Sequence, residues 1–485
     1  MILVYSLNCE PVVEIGGSQI FGKTVNFKNF KVNQYLSIPY AQPPVGELRF
    51  MPTVPIDVQP KIWNAFYEPP ACPQYTENPY PWYVNSSNKS EDCLYLNIWT
   101  PSNASPKNKK AVMYWIHGGG YRYGSIRSKI YNGIALSALG DIIVVTANYR
   151  LGPLGFLVSG TDDAPGNAGL WDNLEGLRWV NKNIKYFGGD PAKITLAGES
   201  SGSLSVGLLS ISPLAKGLYK RQIMESGAPT FWNAETLKST NIAFAQQLAK
   251  MVNCANDSFT IQNNPKPVVD CLKRVDSMVL SRADSHILNI STFDFMPIYG
   301  DEIIPENPRT AVLRKNFHCT DLLIGNNQDE GSFLITTGNP QLFGFFGQKD
   351  TQINKTTGAD IIRGLNQGFP DLEGMIKYYL PDDLEDNDYD HIRRQTYTAC
   401  GDPLFVCTDI YYSEKCAEEG NNVYFYVWRH RPSTTVWQPW MGVAHYTEVQ
   451  FVFGQPLLNP SRYEASETQL SVEMIKIWSN FVKTG

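Results

Sequence analysis

The sequence predicts an α/β fold in which a large, mostly parallel central sheet is covered by helices on both faces. Short apolar runs rich in β-branched and aromatic residues alternate with longer helical patterns. Such runs are typical of strands that are buried on both sides of a sheet. No repeat, low-complexity tract or flexible linker divides the 485 residues, so we expect a single domain over 1–485. An apolar content of 43% is enough for a core of that size.

Six apolar runs are predicted to be strands, namely 111–116, 141–149, 193–198, 221–226, 321–325 and 423–428. Before the third run, the segment GLWDNLEGLRWVNKNIKYFGGDP predicts an amphipathic helix that ends at Gly188, Gly189 and Pro191. Strands that alternate with helices favour a largely parallel sheet. Residues from about 230 to 400 are richer in helical and loop patterns, and we expect much of this part to lie over the sheet.

The charge and hydropathy of the chain exclude several classes of partner. A net charge of −6 without a basic run argues against nucleic acid and against an anionic membrane surface. No stretch reaches the roughly 18 to 20 apolar residues that span a bilayer, so no transmembrane segment is expected. The opening MILVYSLN lacks the basic start of a complete signal peptide and is interpreted as the tail of one.

Two features favour an oxidising, extracellular compartment. Sequons for N-glycosylation occur at Asn85, Asn88, Asn103, Asn256, Asn289 and Asn354. Among nine cysteines, two pairs bracket polar stretches, as expected for loops closed by disulfides: Cys72 with Cys93, and Cys254 with Cys271. The pairing of the others stays open: Cys9, Cys319, Cys400, Cys407 and Cys416. Reduced thiols in a cytosolic enzyme are the alternative.

A candidate nucleophile follows the third predicted strand, in the segment GESSG at 198–202. Gly198 and Gly202 flank Ser200 at both second neighbours, which allows a tight strand-to-helix turn with an exposed hydroxyl. The N-terminus of the following helix favours a developing anion. The alternative is a helix that merely begins with small residues.

A second glycine-rich segment, YWIHGGGY, places Gly118, Gly119 and Gly120 directly after another predicted strand. Because these residues lack Cβ atoms, their N–H groups can approach a ligand closely. Such donors would hold the oxyanion of a tetrahedral acyl-transfer intermediate, an interaction worth roughly 3 to 4 kcal/mol per donor. An ordinary glycine-rich loop is the alternative.

A serine hydroxyl needs an adjacent base, and the chain has six histidines. On this kind of serine turn the partners follow in the order serine, acid, histidine, which excludes His117. His391 and His430 lie among charged residues. His445 lies in a glycine-containing loop before an apolar run and is the candidate base.

The candidate acid lies in the loop after the strand at 321–325. This loop contains Asp329 and Glu330 in succession, and either carboxylate is able to orient an imidazole. Spacing alone does not choose between the two.

Six ordered segments resemble the type-B carboxylesterase and cholinesterase family over essentially the whole chain: EDCLYLNIWTP, HGGGY, ANYRLGPLGFL, NIKYFGGDPAKITLAGESSG, DEGSFL and VWQPWMGVAHYTEVQFVFG. The last segment is more similar to cholinesterases than to general carboxylesterases. The resemblance implies an α/β-hydrolase fold and a secreted or extracellular esterase that acts on a small ester and needs no metal or organic cofactor. The sequence leaves the oligomeric state open, with a homodimer as the candidate assembly.

The resemblance also assigns site residues. It implies a catalytic triad of Ser200, Glu330 and His445. It implies oxyanion donors from the backbone amides of Gly119, Gly120 and Ser201, the last of which is usually alanine in the family. Two-step acyl transfer then proceeds through an acyl-enzyme that water releases.

The resemblance is less complete for substrate binding. Cholinesterases hold a quaternary ammonium by cation–π contacts. The position of their main tryptophan falls on Tyr83, with Trp82 one place earlier. Further matching positions carry Glu199, Phe333 and Trp437, and Glu77 matches an acidic residue near the gorge entrance. Ser291 and Phe293 match two acyl-pocket phenylalanines of vertebrate acetylcholinesterases, which predicts tolerance of acyl groups larger than acetyl.

Two other functions are consistent with the family. One is a broad carboxylesterase for neutral esters, and the other is a non-catalytic adhesion protein similar to neuroligins and neurotactin. Members of the adhesion branch typically lose a triad residue, whereas this chain keeps all three. Relatives also continue into C-terminal structure with a further cysteine, so we expect a chain truncated at both ends, with Cys400 as the cysteine left without a partner.

Overall fold

The computed structural model of the chain describes residues 10–56, 61–77, 80–83, 88–230, 237–287 and 294–485. Its strands are β1 (Val12–Ile15), β2 (Ser18–Phe21), β3 (Lys23–Phe27), β4 (Phe30–Pro39), β5 (Ile62–Asn64), β6 (Tyr95–Pro101), β7 (Lys110–Ile116), β8 (Ile143–Ala147), β9 (Gly189–Glu199), β10 (Arg221–Glu225), β11 (Asp321–Asn327) and β12 (Val423–Trp428).

The α-helices are α1 (Ile134–Gly140), α2 (Gly152–Phe156), α3 (Ala168–Asn183), α4 (Ser201–Ile211), α5 (Leu237–Met251), α6 (Pro265–Leu272), α7 (Ser277–Ile287), α8 (Pro308–Leu313), α9 (Ser332–Gly338), α10 (Pro340–Phe343), α11 (Lys355–Leu365), α12 (Leu372–Tyr379), α13 (Tyr389–Gly401), α14 (Cys407–Glu418), α15 (Val449–Val452), α16 (Gln455–Leu458) and α17 (Ala465–Thr484). A π-helical turn, Asp402–Val406, joins α13 to α14.

The large sheet has nine strands in the order β12-β11-β10-β9-β7-β8-β6-β4-β3. The strands from β12 to β8 are parallel, and β6, β4 and β3 extend the sheet by antiparallel pairing. A separate small sheet contains β1, β2 and β5. The predicted α/β fold with a mostly parallel sheet is thus confirmed, and each of the six predicted strands lies in the large sheet.

Strand β7 shows why the sequence of a central strand is apolar throughout. All seven of its residues are buried. Tyr114 packs in one hydrophobic cluster with Leu174 of α3, and its neighbour Trp115 packs in another with Trp478 of α17. Successive side chains of a strand point to opposite faces, so α3 and α17 cover the two faces of the sheet.

Element boundaries differ from the prediction where backbone conformation changes. Strand β8 begins at Ile143 rather than 141, because Asp141 has a φ of 51° at the end of α1. Helix α3 ends at Asn183, and a 3₁₀ turn leads to Gly188, whose φ is 81°. Strand β9 then begins at Gly189 and includes Pro191, two of the residues predicted to end the helix.

Residues 237–418 consist mainly of helices, as expected for the part over the sheet, and β11 returns from them to the sheet. A third hydrophobic cluster, with Ile335, Ile362 and Ile392 at its centre, holds several of these helices together. The candidate site residues follow the carboxyl ends of β7, β9 and β11, and His445 lies in the segment after β12. In a parallel sheet these ends meet at one edge, which is where α/β folds bind ligands.

Candidate active site

Ser200 occupies a strained turn between β9 and α4, with φ of 54° and ψ of −123°. It is partly exposed, whereas its neighbours in the chain are buried. A Cβ on Gly198 would lie 2.5 Å from the carbonyl carbon of Gly202, and a Cβ on Gly202 would lie 2.1 Å from the carbonyl oxygen of Ile116. Both flanking glycines are therefore required by the close approach of β9, α4 and β7.

The glycine-rich segment after β7 passes directly beside this turn. A Cβ on Gly118 would lie 2.3 Å from Oε2 of Glu199 and 3.0 Å from Cβ of Ser200. Gly119 and Gly120 have φ values of 113° and 63°, which side chains disfavour. The three predicted oxyanion donors, Gly119, Gly120 and Ser201, line the same cavity as Ser200.

His445 is buried beside the same cavity, which has a volume of about 150 Å³. Its Nδ1 lies 2.5 Å from Oε2 of Glu330, and its Nε2 lies 3.1 Å from Oε1 of Glu199. The ring is stacked on Phe333 at 4.8 Å between centroids and contacts Phe405 at 4.6 Å. The imidazole is therefore held by two neighbouring aromatic rings and by a carboxylate beside each of its nitrogens.

The structure separates the two carboxylates that spacing left equivalent. Oε1 of Glu330 accepts hydrogen bonds from Oγ of Ser226 at 2.5 Å and from the backbone N–H of Asn327 at 2.6 Å. Asp329 faces elsewhere and accepts hydrogen bonds from the backbone N–H of Val443 and from the hydroxyl of Tyr397. Glu330 thus contacts His445, whereas Asp329 bonds to Val443 in the loop that contains His445.

Further carboxylates lie buried on the Nε2 side of His445. Burial raises the pKa of Glu199 well above its ordinary value, and the charges of Glu448, Glu330 and Glu225 raise it further. Burial and the charge of Glu330 raise the pKa of Glu448 to about 7, against a hydrogen bond from Asn327 that lowers it. One carboxylate oxygen of each of Glu225 and Glu448 has no hydrogen-bond partner within the described residues, and Oε1 of Glu199 has Nε2 of His445 as its polar neighbour. This region therefore favours protonated carboxyl groups.

His117 also lies near the glycine-rich segment, but its surroundings do not suit a base. It is fully buried, its ring stacks on Tyr149 at 4.6 Å, and burial lowers its pKa to about 4. Its Nδ1 lies 2.9 Å from the carbonyl oxygen of Gly118. His117 thus belongs to the packing behind the glycine-rich segment.

Aromatic rings form one wall of the cavity. Trp82 lines it and lies 6.2 Å from the ring of His445 and 6.0 Å from Phe333. Trp437 packs behind Trp82 at 6.3 Å. Tyr83 lies outside the lining residues and contacts Tyr123 and Lys89 instead. Of the two adjacent aromatic candidates, the structure therefore brings Trp82 into the cavity.

Sequence analysis missed several lining residues. Tyr80 is stacked on Trp82 at 4.8 Å, and Arg122, Tyr123 and Phe405 also face the cavity. Tyr80 and Tyr123 lie close in sequence to predicted site residues, and that proximity was the available signal. Phe405 lies in the π-helical turn before α14 and carried none.

Several other predicted positions are at the surface or outside the described residues. Glu77 is exposed. Four sequon asparagines are exposed, as glycosylation requires: Asn88, Asn103, Asn256 and Asn354. The remaining predicted positions lie outside the described residues: Asn85, Asn289, Ser291 and Phe293.

The described part of the chain contains three disulfides, Cys72–Cys93, Cys254–Cys271 and Cys319–Cys416. The first two are the pairs that bracket polar stretches, and the third joins cysteines whose pairing the sequence left open. Cys400 and Cys407 are free thiols, with Cys400 buried and Cys407 exposed, and Cys9 lies outside the described residues. Burial raises the pKa of Cys400 to about 12, so this thiol stays protonated.

The described residues contain no cluster of histidine, cysteine, aspartate or glutamate suited to a metal ion. None of the described helices is long and apolar enough to cross a membrane.

Comparison with known proteins places this geometry in a family. The sequence profile of the carboxylesterase family matches residues 9–485. A protein named acetylcholinesterase-1 from Trittame loki is 42% identical over 461 residues, which cover 93% of this chain and 82% of that protein. A cholinesterase from Mus musculus is 36% identical over 473 residues, which cover 94% of this chain and 75% of that protein. The chain therefore belongs to the carboxylesterase family and is a cholinesterase-like carboxylic ester hydrolase.

Proposed function

We propose that the protein hydrolyses choline esters by acyl transfer, with Ser200 as nucleophile, His445 as general base and Glu330 as the acid that orients it. The observation that carries this proposal is the lining of one cavity by Ser200, His445 and the glycine-rich segment, with Nδ1 of His445 held 2.5 Å from Glu330. A hydroxyl, an oriented base and backbone donors at one small cavity are the parts that acyl transfer requires.

In the first step His445 takes the proton of Ser200 through Nε2 while the serine oxygen attacks the ester carbonyl. The carbonyl oxygen becomes an oxyanion, which the N–H groups of Gly119, Gly120 and Ser201 stabilise. The alkoxide leaves with the proton from His445, and an acyl-serine remains. Water then attacks the acyl group by the same route, gives its proton to His445, and restores Ser200 as the acid departs.

Glu330 fixes which nitrogen of His445 is the acceptor. Its Oε2 accepts a hydrogen bond from the Nδ1–H group, which keeps the proton of the neutral imidazole on Nδ1. Nε2 then carries no proton and is able to act as the base. When the imidazole becomes positively charged, the buried carboxylate stabilises that charge. The donors Ser226 and Asn327 hold Glu330 in place for both roles.

A choline ester is favoured over a neutral ester by the cavity wall. Trp82, Tyr80 and Phe333 line the cavity with aromatic rings, and a quaternary ammonium binds such rings at about 0.5 to 2 kcal/mol per contact. Glu199 adds carboxyl oxygens to the cavity lining. Both relatives are named as cholinesterases. A broad carboxylesterase for neutral esters is the competing assignment.

We further propose that the protein is exported and that 1–485 forms one domain. Three disulfides and four exposed sequon asparagines support an oxidising compartment. Glycosylation at the six sequons and assembly as a homodimer stay predictions, which peptide mapping and mass measurement of the purified protein would test.

The deciding experiment compares hydrolysis of acetylthiocholine and 1-naphthyl acetate, together with labelling by an organophosphate. We expect a higher kcat/KM for acetylthiocholine, and labelling at Ser200 that Ser200→Ala abolishes. Ser210→Ala is the matched control, because this serine lies on the same helix α4 and bonds to Tyr412. Preference for the naphthyl ester would overturn the choline assignment, and absence of both hydrolysis and labelling would overturn the mechanism.

A further inference from the structure

A buried ion cluster lies directly behind the glycine-rich segment. The guanidinium of Arg122 contacts Asp284 of α7 at 2.9 Å through Nη2 and contacts Asp294 through Nη1. Its Nη2 also donates to the carbonyl oxygen of Asp284 at 3.2 Å. The three residues are 6%, 5% and 1% exposed. One arginine thus joins two carboxylates that are ten positions apart in the chain.

The backbone of Arg122 is bonded to the proposed oxyanion donors. The N–H groups of Arg122 and Tyr123 both donate to the carbonyl oxygen of Gly119, at 3.1 and 3.0 Å. This carbonyl and the N–H of Gly120 belong to a single planar peptide group, so fixing one end fixes the direction of the other. The position of Arg122 therefore sets the direction in which the Gly120 N–H points.

Other contacts hold the ends of the segment and also Tyr121 within it, whose carbonyl oxygen accepts from the N–H of Gly152 at 2.7 Å and whose buried ring packs on Phe156 at 4.9 Å. Gln74 exchanges two hydrogen bonds with the backbone of Gly124, at 2.7 and 2.9 Å. Gly118 packs against Glu199 and Ser200. Between these ends, Gly119 and Gly120 adopt positive φ values that a free loop would readily leave. The side chain of Arg122 is a second anchor beside Tyr121, and the backbone N–H of Arg122 is bonded directly to Gly119.

We propose that Arg122, clamped by Asp284 and Asp294, is a positioning residue that aims the Gly120 N–H at the oxyanion. The assignment rests on the proposed acyl-transfer function. Arg122 lines the cavity, but both of its charged partners lie behind it, so its charge is neutralised away from the substrate. Its effect then falls on the transition state rather than on binding of the ester.

The test removes all three charges together, in Arg122→Met combined with Asp284→Asn and Asp294→Asn. Leaving no buried charge without a partner protects the fold, because an unpaired buried ion is what costs most. Complete loss of an oxyanion donor costs about 10² to 10³ in kcat, so a misdirected donor is expected to lower kcat about 10-fold to 100-fold. KM should change by less than about threefold, because ground-state contacts remain.

Two inhibitors separate positioning from general damage. A trifluoromethyl ketone forms an anionic adduct with the nucleophile, and its affinity should fall by the same factor as kcat/KM. The product alcohol forms no adduct, and its affinity should be unchanged. Arg122→Lys keeps a charge but lacks the two-armed guanidinium, and it should show the same split with about a tenfold loss of kcat.

The matched control is Arg49→Met with Glu91→Gln. Arg49 is equally buried, contacts Glu91 at 2.5 Å and donates to two backbone carbonyls, but it lies away from the cavity. Its kcat should stay within about twofold of the parent protein. A triple variant or an Arg122→Lys variant with unchanged kcat overturns the inference, as does an equal loss of affinity for both inhibitors. A parent protein without Ser200-dependent hydrolysis would instead overturn the proposed function.

Discussion

Two histidines in the described part of the chain each contact a buried glutamate that also accepts a hydrogen bond from a serine. Nδ1 of His445 lies 2.5 Å from Glu330, and Nε2 of His430 lies 2.9 Å from Glu467. Both glutamates are buried. In each pair a serine hydroxyl donates to the same carboxylate, from Ser226 in the first and from Ser433 in the second. The two pairs therefore share their local chemistry.

The pairs differ in what surrounds the other nitrogen of the imidazole. His445 is 3% exposed, and it lines the cavity that contains Ser200. The side chain of His430 is 36% exposed, and its partner Glu467 caps the first turn of α17. A buried carboxylate on one imidazole nitrogen is thus a common structural device. We take it to indicate catalysis only where, as for His445, the imidazole also lines a cavity that contains a serine hydroxyl.

The largest expected effect separates the two glutamates by activity. Glu330→Gln removes the charge that fixes the tautomer of His445, and kcat should fall on the order of 10³ to 10⁴. Glu467→Gln should leave kcat unchanged and only weaken the start of α17. Steady-state kinetics with the preferred ester measures both. Equal losses in the two variants would mean that the pairs are not functionally distinct.

A smaller effect separates the two serines. Ser226→Ala removes one of the donors to Glu330, and because a hydrogen bond to a charged group contributes about 1.5 to 3 kcal/mol, kcat should fall roughly tenfold or more. Ser433→Ala removes the equivalent donor to Glu467 and should leave kcat within about twofold. If both variants keep full activity, the hydrogen bond from Ser226 does not contribute to the orientation of His445.

How much of this arrangement the sequence reveals depends on how local its cause is. Ser200 and its glycines were predictable, because the contact of Gly202 with Ile116 forces small residues at fixed spacing. The prediction of His445 required the order of the partners along the chain, because the sequence around it resembles that of a structural histidine. The choice of Glu330 over Asp329 required a resemblance, because adjacent side chains of one loop point to different neighbours.

Other features depend on packing between distant segments and leave no local pattern. Arg122 is separated from Asp284 and Asp294 by more than 160 residues. The cysteines of the Cys319–Cys416 disulfide are 97 positions apart, so they do not enclose a short polar stretch that would have indicated the pairing. The expectation named Cys400 as the cysteine without a partner, and among the described residues Cys407 is also unpaired and is the exposed thiol of the two.

A pH-dependent effect probes the Nε2 side of His445. The pKa of Glu199 is raised by burial and by neighbouring carboxylates, so at low pH the group is neutral, as glutamine is. At higher pH the carboxylate stabilises the charged imidazole that forms in the transition state. The ratio of kcat for the parent protein to kcat for Glu199→Gln should therefore rise with pH, to about tenfold. Kinetics from pH 6 to pH 9 measures it, and a ratio that stays level would contradict this role.

The smallest expected effect on activity is that of Glu448→Gln. This substitution should instead change how the stability of the protein depends on pH. An unfolded glutamate ionises near 4.5, whereas burial keeps the proton on folded Glu448 up to about 7. Between these values the folded state binds the extra proton, so rising pH lowers the free energy of unfolding, by up to about 3 kcal/mol. Glu448→Gln keeps the acceptor for Asn327 and has no proton to lose. The urea midpoint of Glu448→Gln should therefore rise relative to that of the parent protein between pH 5 and pH 7.5.

Glu467 provides the opposite case within the same molecule. Burial acts to raise its pKa, but hydrogen bonds from Ser433 and His430 outweigh burial and hold the pKa below its ordinary value. Its contribution to stability is present above the unfolded pKa and is lost as pH falls through the folded one. Glu467→Gln should therefore lose stability relative to the parent protein at neutral pH and recover it in acid. Parallel pH profiles for the Glu448 and Glu467 variants would show that hydrogen-bond donors do not decide the protonation of these two buried glutamates.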